Sequence, residues 1–443
     1  MEENILAKEK IPKLFMFYSI PAIVSMLIVG TQSIIDGIFV GNFVGELAMA
    51  SVNIAQPFTQ ILAASSMVIV IGSLSYMGRS LGENDIDKAQ NIYRTSLILI
   101  ISIASFLTIL GVFFSENLAL LLGASDILIK DTSIYIKTIS VFIIPMFLMY
   151  QFAFSNRLLE KPELYIKGMI LSLITNILLN ILLVKYMLLG VFGTAVATAL
   201  AEPLALFYVI GPHLNKSNVI NIYVGKFDKK VILPVVSNGL SEAFTSISAA
   251  ITAYVFNKAF MKSGGEAGIA AFTIISYINL FTNYIMFGIA DGIGPLVSYN
   301  YGAKSFKRVW EAMKFSYGVS FLIGVIIFII LIFFGESLIS VFISNNAEIL
   351  NLAFTGAKIF AVGYLINGFN ILNSAYFTSI GLAKESVIIA LSRGCVVTLI
   401  GIFILPNIFG MNGIWMTVPF AEIVTVGVCV YLLKGYRGFN SIM

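Results

Sequence analysis

Five acids and one arginine stand where a chain this apolar has little reason to keep a charge. Asp36 lies in IVGTQSIIDGIFVGN (28–42), late in an apolar run that starts at Leu14 and holds no basic residue. Glu242 sits in LPVVSNGLSEAFTSI (233–247), and Asp291 precedes Gly292, Gly294 and Pro295. Glu202 and Glu422 each lie close to a proline, Pro203 and Pro419. Arg393 is the basic residue set deep in an apolar run. A charged side chain at the bilayer centre costs about 2.5–3.5 kcal/mol on insertion scales, and a low-dielectric surrounding disfavours the bare charge. An acid kept there is a candidate for taking up a proton, a metal cation or an organic cation. The alternatives stay open at each position. Glu242 could bond to helix hydroxyls such as Ser241 or Thr245, Asp291 could mark a polar kink where Gly and Pro loosen the helix, and Arg393 either snorkels to the interface or pairs with a carboxylate.

The elements that must position these groups are membrane helices. Hydrophobic residues make up 58% of the 443 and charged residues 11%, with a mean hydropathy of +0.95; a soluble domain carries roughly 25% charged residues. Apolar runs of about 20 residues, each able to cross a bilayer as a helix, recur along the chain. Twelve spans are expected: 13–39, 47–76, 92–114, 132–155, 164–186, 191–211, 231–258, 268–299, 312–334, 351–378, 386–406 and 411–433. The first is too long for a signal-peptide core and lacks a small-residue cleavage site, so it is expected to be a retained helix. Alternate loops carry the basic residues: Lys8, Lys10 and Lys13; Arg79 and Lys88; Arg157 and Lys161; Lys216, Lys226, Lys229 and Lys230; Lys304, Lys307 and Arg308; Lys384; Lys434 and Arg437. The intervening loops 40–46, 115–131, 335–350 and 407–410 contain only Lys130. The positive-inside rule then places both termini in the cytoplasm.

Other classes find little support. Cys395 and Cys429 both fall in apolar runs, against a disulfide framework or thiolate metal site. The single histidine, His213, is expected to be a solvated loop residue. The net charge of +4 needs no nucleic acid, GSLSYMGRS (72–80) has the wrong spacing for a Walker motif, and no positioned nucleophile and base suggest an enzyme.

A shift of 220 residues lays the chain on itself. Gly45-Glu46 falls on Gly265-Glu266, Gly72 and Gly82 on Gly292 and Gly302, and Phe113, Phe114, Glu116 and Leu118 on Phe333, Phe334, Glu336 and Leu338. Gly190, Gly193, Ala201 and Glu202 fall on Gly410, Gly413, Ala421 and Glu422. Of ten acids between 45 and 202, three meet another acid, where 23 acids in 443 residues would give about half a match by chance. Six helices per copy return the chain to the same side, so the repeats are parallel. The expected organisation is an N-terminal lobe (1–211), a basic cytoplasmic linker and hinge (212–230) and a C-terminal lobe (231–443). Paired bundles of this kind suggest alternating access around a central site. The symmetry of Glu202 and Glu422 favours a structural role common to both lobes.

The loops SYMGRSLGENDIDKA (75–89) and DGIGPLVSYNYGAKSFKRVWEA (291–312), with GVFGTAVATALAE (190–202) and GMNGIWMTVPFAE (410–422), resemble those of MATE (multidrug and toxic compound extrusion) transporters. The core GPLVSYNYGA is typical of the drug-exporter branch most often met in Gram-positive bacteria. The resemblance covers essentially the full chain. It implies an all-α, twelve-helix fold in two pseudo-symmetric six-helix bundles in the cell membrane, and export of amphipathic, mostly cationic compounds by antiport with protons or sodium. Small organic cations and the bilayer are then the partners, nucleic acid is not, no cofactor is needed, and a monomer is expected.

By the same resemblance Asp36 matches the helix 1 acid that binds the coupling cation, with sodium a possible ligand. Glu242 and Asp291 become candidates for substrate. On helix 5 many relatives place an Asn and an Asp four residues apart; TNILLN (175–180) offers Asn176 and Asn180 instead. That spacing puts both amides on one face, able to ligate sodium or hydrogen-bond Asp36 but not to carry a proton. Thr198, Asn53 and Gln56 are expected to complete the polar cluster, with Gln56 also a substrate candidate. Tyr150, Phe154, Tyr277, Tyr284, Tyr364 and Phe369 are candidate cavity aromatics, since ring faces attract organic cations; Tyr277 and Tyr284 are the ones assigned to substrate. The alternative function is a flippase for lipid-linked oligosaccharides, whose cavity should be rich in Arg and Lys.

Overall fold

A computed structural model describes residues 5–340, 343 and 346–435; Arg437, invoked above for orientation, lies outside them. Hydrocarbon offers no partner for a free N–H or C=O, so a spanning segment must satisfy its backbone internally, and every span is helical. In chain order they are α1 (Ile11–Phe39), α2 (Glu46–Gly82), α3 (Ile86–Phe113), the two-part α4 (Ile129–Val141 and Ile143–Ser155), α5 (Glu163–Leu179) and α6 (Gly190–Leu204). Then come α7 and α8, both within Lys229–Gly302, α9 (Phe306–Ser340), α10 (Ala347–Ile380), α11 (Ala383–Leu391 and Val397–Phe409, joined by a π-helical turn) and α12 (Met411–Gly435). Ten helices are each long and apolar enough to cross a bilayer, and the bent α4 pair makes eleven. The 74-residue segment Lys229–Gly302 counts once among these but breaks at Gly265 (φ 56°, ψ −146°), separating α7 (229–264) from α8 (266–302). Twelve spans result, as expected. The α4 break of 51° falls where Pro145 has no N–H to offer the Val141 carbonyl.

The glycine coincidences of the repeat now have a cause. Gly45 and Gly265 both adopt positive φ at the α1–α2 and α7–α8 turns, and Gly190 and Gly410 both do so at the starts of α6 and α12. L-residues seldom hold that conformation. Gly72 and Gly292 serve close approach instead. A Cβ on Gly72 would strike the Val235 carbonyl of α7, and one on Gly292 would strike Ser19 of α1. Lower on the same helices, Gly82 meets the Tyr299 carbonyl and Gly302 the Arg79 carbonyl. The two bundles therefore join through a seam that the 220-residue shift maps onto itself.

Each half has its own core. One cluster runs from Ile28 to Val235, and two others draw mainly on α7–α12 around Phe377 and Trp415. The linker is no free strand. Ile220 is fully buried in the first core, Gln90 donates to the Val219 carbonyl at 2.9 Å, and the Lys226 amide donates to Asn91 at 2.7 Å. This fold-back corrects the expectation for His213. Its side chain is buried, with Nδ1 2.8 Å from the Tyr93 hydroxyl and Nε2 3.2 Å from the Phe152 carbonyl. Burial lowers its pKa to about 4.

Candidate functional site

Three polar centres interrupt the apolar interior. The first is built on α1, α5 and α6. Asp36 Oδ1 accepts from Asn176 Nδ2 and Asn180 Nδ2, both at 2.9 Å, and Oδ2 accepts from the Thr198 hydroxyl at 2.8 Å. The four-residue step of α5 places Ser172, Asn176 and Asn180 in a row, and α1 answers with Gln32 and Asp36. Gln32 donates to Ser172 at 2.9 Å one turn below the acid. That bond was not anticipated, although the i, i+4 spacing on both helices is its signal. All the donors to Asp36 are neutral. Asn180 Oδ1 is buried without a hydrogen-bond partner, so the cage holds a spare oxygen acceptor beside the carboxylate.

Asn53 and Gln56 do not join this cage. Both are exposed, and Gln56 Oε1 accepts only from its neighbour Thr59, at 3.3 Å. The reason is the phase of α2: Ser51, Ala55, Phe58 and Leu62 form its buried face, which turns positions 53 and 56 away.

The second centre is a cavity of about 240 Å³ between the bundles. Glu242 from α7 and Asp291 from α8 line it with Met26, Met67, Tyr284 and Arg393. Neither carboxylate has a side-chain hydrogen bond or a salt bridge among the described residues, though the buried Arg157 guanidinium lies close enough to Asp291 to offset its charge in part. Below it the bundles are stitched together. Ser75 donates to the Thr378 carbonyl at 2.7 Å, Arg79 donates to the Ser379 carbonyl at 2.8 Å, and Asn238 donates to Ser75 at 3.0 Å. Arg157, read from sequence only as a cytoplasmic loop charge, is 1% exposed. It lies 4.0 Å above the Phe154 ring and donates to the Asp291 backbone carbonyl at 2.8 Å.

The third centre lies inside the second bundle. Arg393 Nε donates to Glu422 Oε1 at 2.7 Å, and Nη2 donates to Asn283 Oδ1 at 2.7 Å. Asn367 and Asn370 also donate to Glu422, at 3.3 and 2.7 Å. Of the two options for Arg393, the pairing is the one observed. A second cavity of about 370 Å³, walled by Phe256, Phe272 and Phe360, opens above this pair. Glu202, the repeat counterpart of Glu422, meets only the Tyr150 hydroxyl, at 3.2 Å. Among the other aromatic candidates, Tyr284 borders both cavities. Tyr277, two turns along α8, is 41% exposed and borders neither. Tyr364 is buried in the second bundle, and Phe369 packs on Tyr317 at 4.9 Å.

The MatE family model matches residues 21–187 and 240–404, one block in each bundle. The chain belongs to the MatE family. A multidrug export protein, MepA, from Staphylococcus saprophyticus is 27% identical over 96% of this chain and 95% of its own length. A crystal structure of MATE in complex with MaL6 superposes with a TM-score of 0.92 at 20% identity, covering 100% of this chain and 99% of the other. An outward-facing multidrug resistance MATE family transporter of the MOP superfamily gives 0.90 at 21% identity, with coverage of 100% and 99%. MatE membership and these likenesses agree with the twelve-helix, two-bundle architecture of a multi-pass membrane transporter.

Proposed function

We propose that this chain is a secondary active multidrug exporter, which expels amphipathic, mostly cationic compounds in exchange for inward protons or sodium. The observation that carries the reading is that two acids in different places, Asp36 and Glu242, have no cationic partner among the described residues, while Asp291 shares the cavity with Glu242 and meets only the charge of the Arg157 guanidinium held on its backbone carbonyl. Asp36 sits in its neutral cage, and Glu242 and Asp291 face the cavity between the bundles. The cage suits the coupling cation, because a carboxylate with amide and hydroxyl neighbours can hold sodium through oxygen ligands or be neutralised by a proton. The cavity suits the exported cation, with Tyr284 offering a ring face. The basic loops put the stitched end of the bundles in the cytoplasm, so those bonds close the cavity on that side. The staphylococcal relative, a multidrug export protein, supports the same activity. The acids lining the first cavity disfavour a flippase for pyrophosphate-linked lipids.

The test is ethidium efflux from proteoliposomes under an imposed sodium or proton gradient. One of the two gradients should drive efflux by the wild type and fail with Asp36→Asn, while Glu242→Gln should stop efflux and leave the protein folded. If neither gradient drives efflux of any organic cation, the reading fails.

A further inference from the structure

Arg393 is more than the counter-ion of Glu422. The two cavities share a wall made by Thr245, Tyr284, Phe287, Arg393 and Gly394. Arg393 projects from the π-helical turn Ser392–Val396 of α11, a local widening of the helix often found at functional sites. That turn is pinned to α7, since the Gly394 carbonyl accepts from Thr252 at 2.6 Å.

The hydrogen bonds around the pair are unevenly shared. Glu422 accepts three bonds of about four it can take: Oε1 takes Arg393 Nε and Asn367 Nδ2, and Oε2 takes Asn370 Nδ2. Its side chain is 4% exposed, whereas that of Arg393 is 17% exposed. A guanidinium carries five N–H donors in a rigid plane. Arg393 places one on Glu422 and one on Asn283, and no bond from its Nη1 is made among the described residues. The spare donors are therefore on the arginine, at the wall of both cavities. The first cavity is thus dipolar, with the acids Glu242 and Asp291, the latter offset in part by Arg157, and the open N–H groups of Arg393 all in its lining.

We propose that Arg393 is the anion-recognising subsite of the export cavity, the residue that reads the carboxylate of a cargo carrying a cationic ring system and a carboxylate in one molecule. The cationic part faces Glu242 and Asp291, and the carboxylate takes the open N–H groups of Arg393, whose planar fork matches a carboxylate in a way that lysine does not. This assignment rests on the reading of the interbundle cavity as the site of exported compounds.

Rhodamine B and rhodamine B ethyl ester test it. They share one cationic ring system and differ in a carboxylate against an ester. Fluorescence polarisation with the purified full-length protein should show the acid binding more tightly than the ester. The variant Arg393→Gln/Glu422→Gln removes both charges and strands neither. It should lose roughly tenfold in its preference for the acid over the ester, the size expected for one charge-assisted hydrogen-bond pair. Arg393→Lys, which keeps the charge without the fork, should lose at least about threefold of that preference. An acid-to-ester ratio unchanged in both variants would overturn the assignment and leave the exporter reading standing. If the double variant does not fold, Arg393→Lys decides by the same ratio. Wild type that binds neither dye would sink the cavity reading and the Arg393 subsite with it.

Discussion

Asp36 in the first bundle and Glu422 in the second are both carboxylates set among asparagines inside apolar helices. Around Asp36 the donors are two amides and a hydroxyl, all neutral. Around Glu422 two amides recur, but a guanidinium takes the place of the hydroxyl. Asparagine-lined acids thus have two fates in one chain. The first has only neutral donors among the described residues, which is what the proposed uptake of a mobile cation requires. The second has its cation built in and is closed to exchange. Glu202, the repeat counterpart of Glu422, accepts from Tyr150, whose own counterpart Asn370 donates to Glu422, while the position that matches Arg393 is Leu173; the repeat kept the acid and one donor, and the arginine is found in the second copy alone.

The strongest way to break this comparison is at Asp36. Coupling free energies of about 1–3 kcal/mol correspond to roughly 5- to 150-fold in affinity. Asp36→Asn should therefore cut gradient-driven ethidium efflux by at least that lower bound, in proteoliposomes carrying matched amounts of protein; full activity would mean that the cage binds no coupling cation. In stability, as distinct from transport, the largest effect is expected from Arg393→Leu, which strands Glu422 in the interior. It should cost about 3–5 kcal/mol in thermal or denaturant unfolding, and Arg393→Leu/Glu422→Leu should recover most of it. Equal destabilisation by the single and double changes would show that the pair is not the unit.

A smaller effect is expected at His213, the buried neutral imidazole of the first bundle. Its pKa is about 4 when folded against roughly 6.5 when exposed. The unfolded chain thus binds the proton first as pH falls. The contribution is whole above about pH 6.5, is lost as pH drops toward 4, and amounts to about 2 kcal/mol between pH 7 and pH 5. His213→Gln should flatten that dependence in a pH series of melting temperatures. Smallest is the contrast of two tyrosines. Tyr284→Ala should weaken ethidium binding by about 0.5–1 kcal/mol, the size of a cation–π contact, and Tyr277→Ala should weaken it by less. A reversal would move the substrate site two turns along α8.

How much of this was legible depends on how locally each feature is determined. The repeat could be read because acids and positive-φ glycines tolerate few substitutes, and Gly45, Gly265, Gly190 and Gly410 are turn residues in both copies. The Asp36 cage was readable because α5 repeats its amides at one helical turn, and family resemblance supplied the partner helices. Asn53 and Gln56 were not, because the polar residues of this part of α2 (Ser51, Asn53, Gln56, Thr59, Gln60) are scattered round the helix and leave no sequence mark of its rotational phase; packing around Ala55 and Phe58 sets it. His213 and Arg157 were misjudged for a related reason. Polar loops look solvated in sequence, but the linker folds onto α3 and α4, and the turn after α4 is covered by α8. Arg393 needed the fold to choose between snorkelling and pairing.

The arginine built into the second bundle also has an electrical consequence. On the proposed cycle the Arg393–Glu422 pair is neutral whether or not cargo is aboard, so its passage between states moves no net charge through the membrane field. Asp36 is neutral only while it holds a proton or sodium. The empty cage carries one negative charge, and a charge crossing the full field is worth about 2.3 kcal/mol per 100 mV. As far as the cage is concerned, the step that a membrane potential would hasten or retard is therefore the movement of the carrier with Asp36 unloaded.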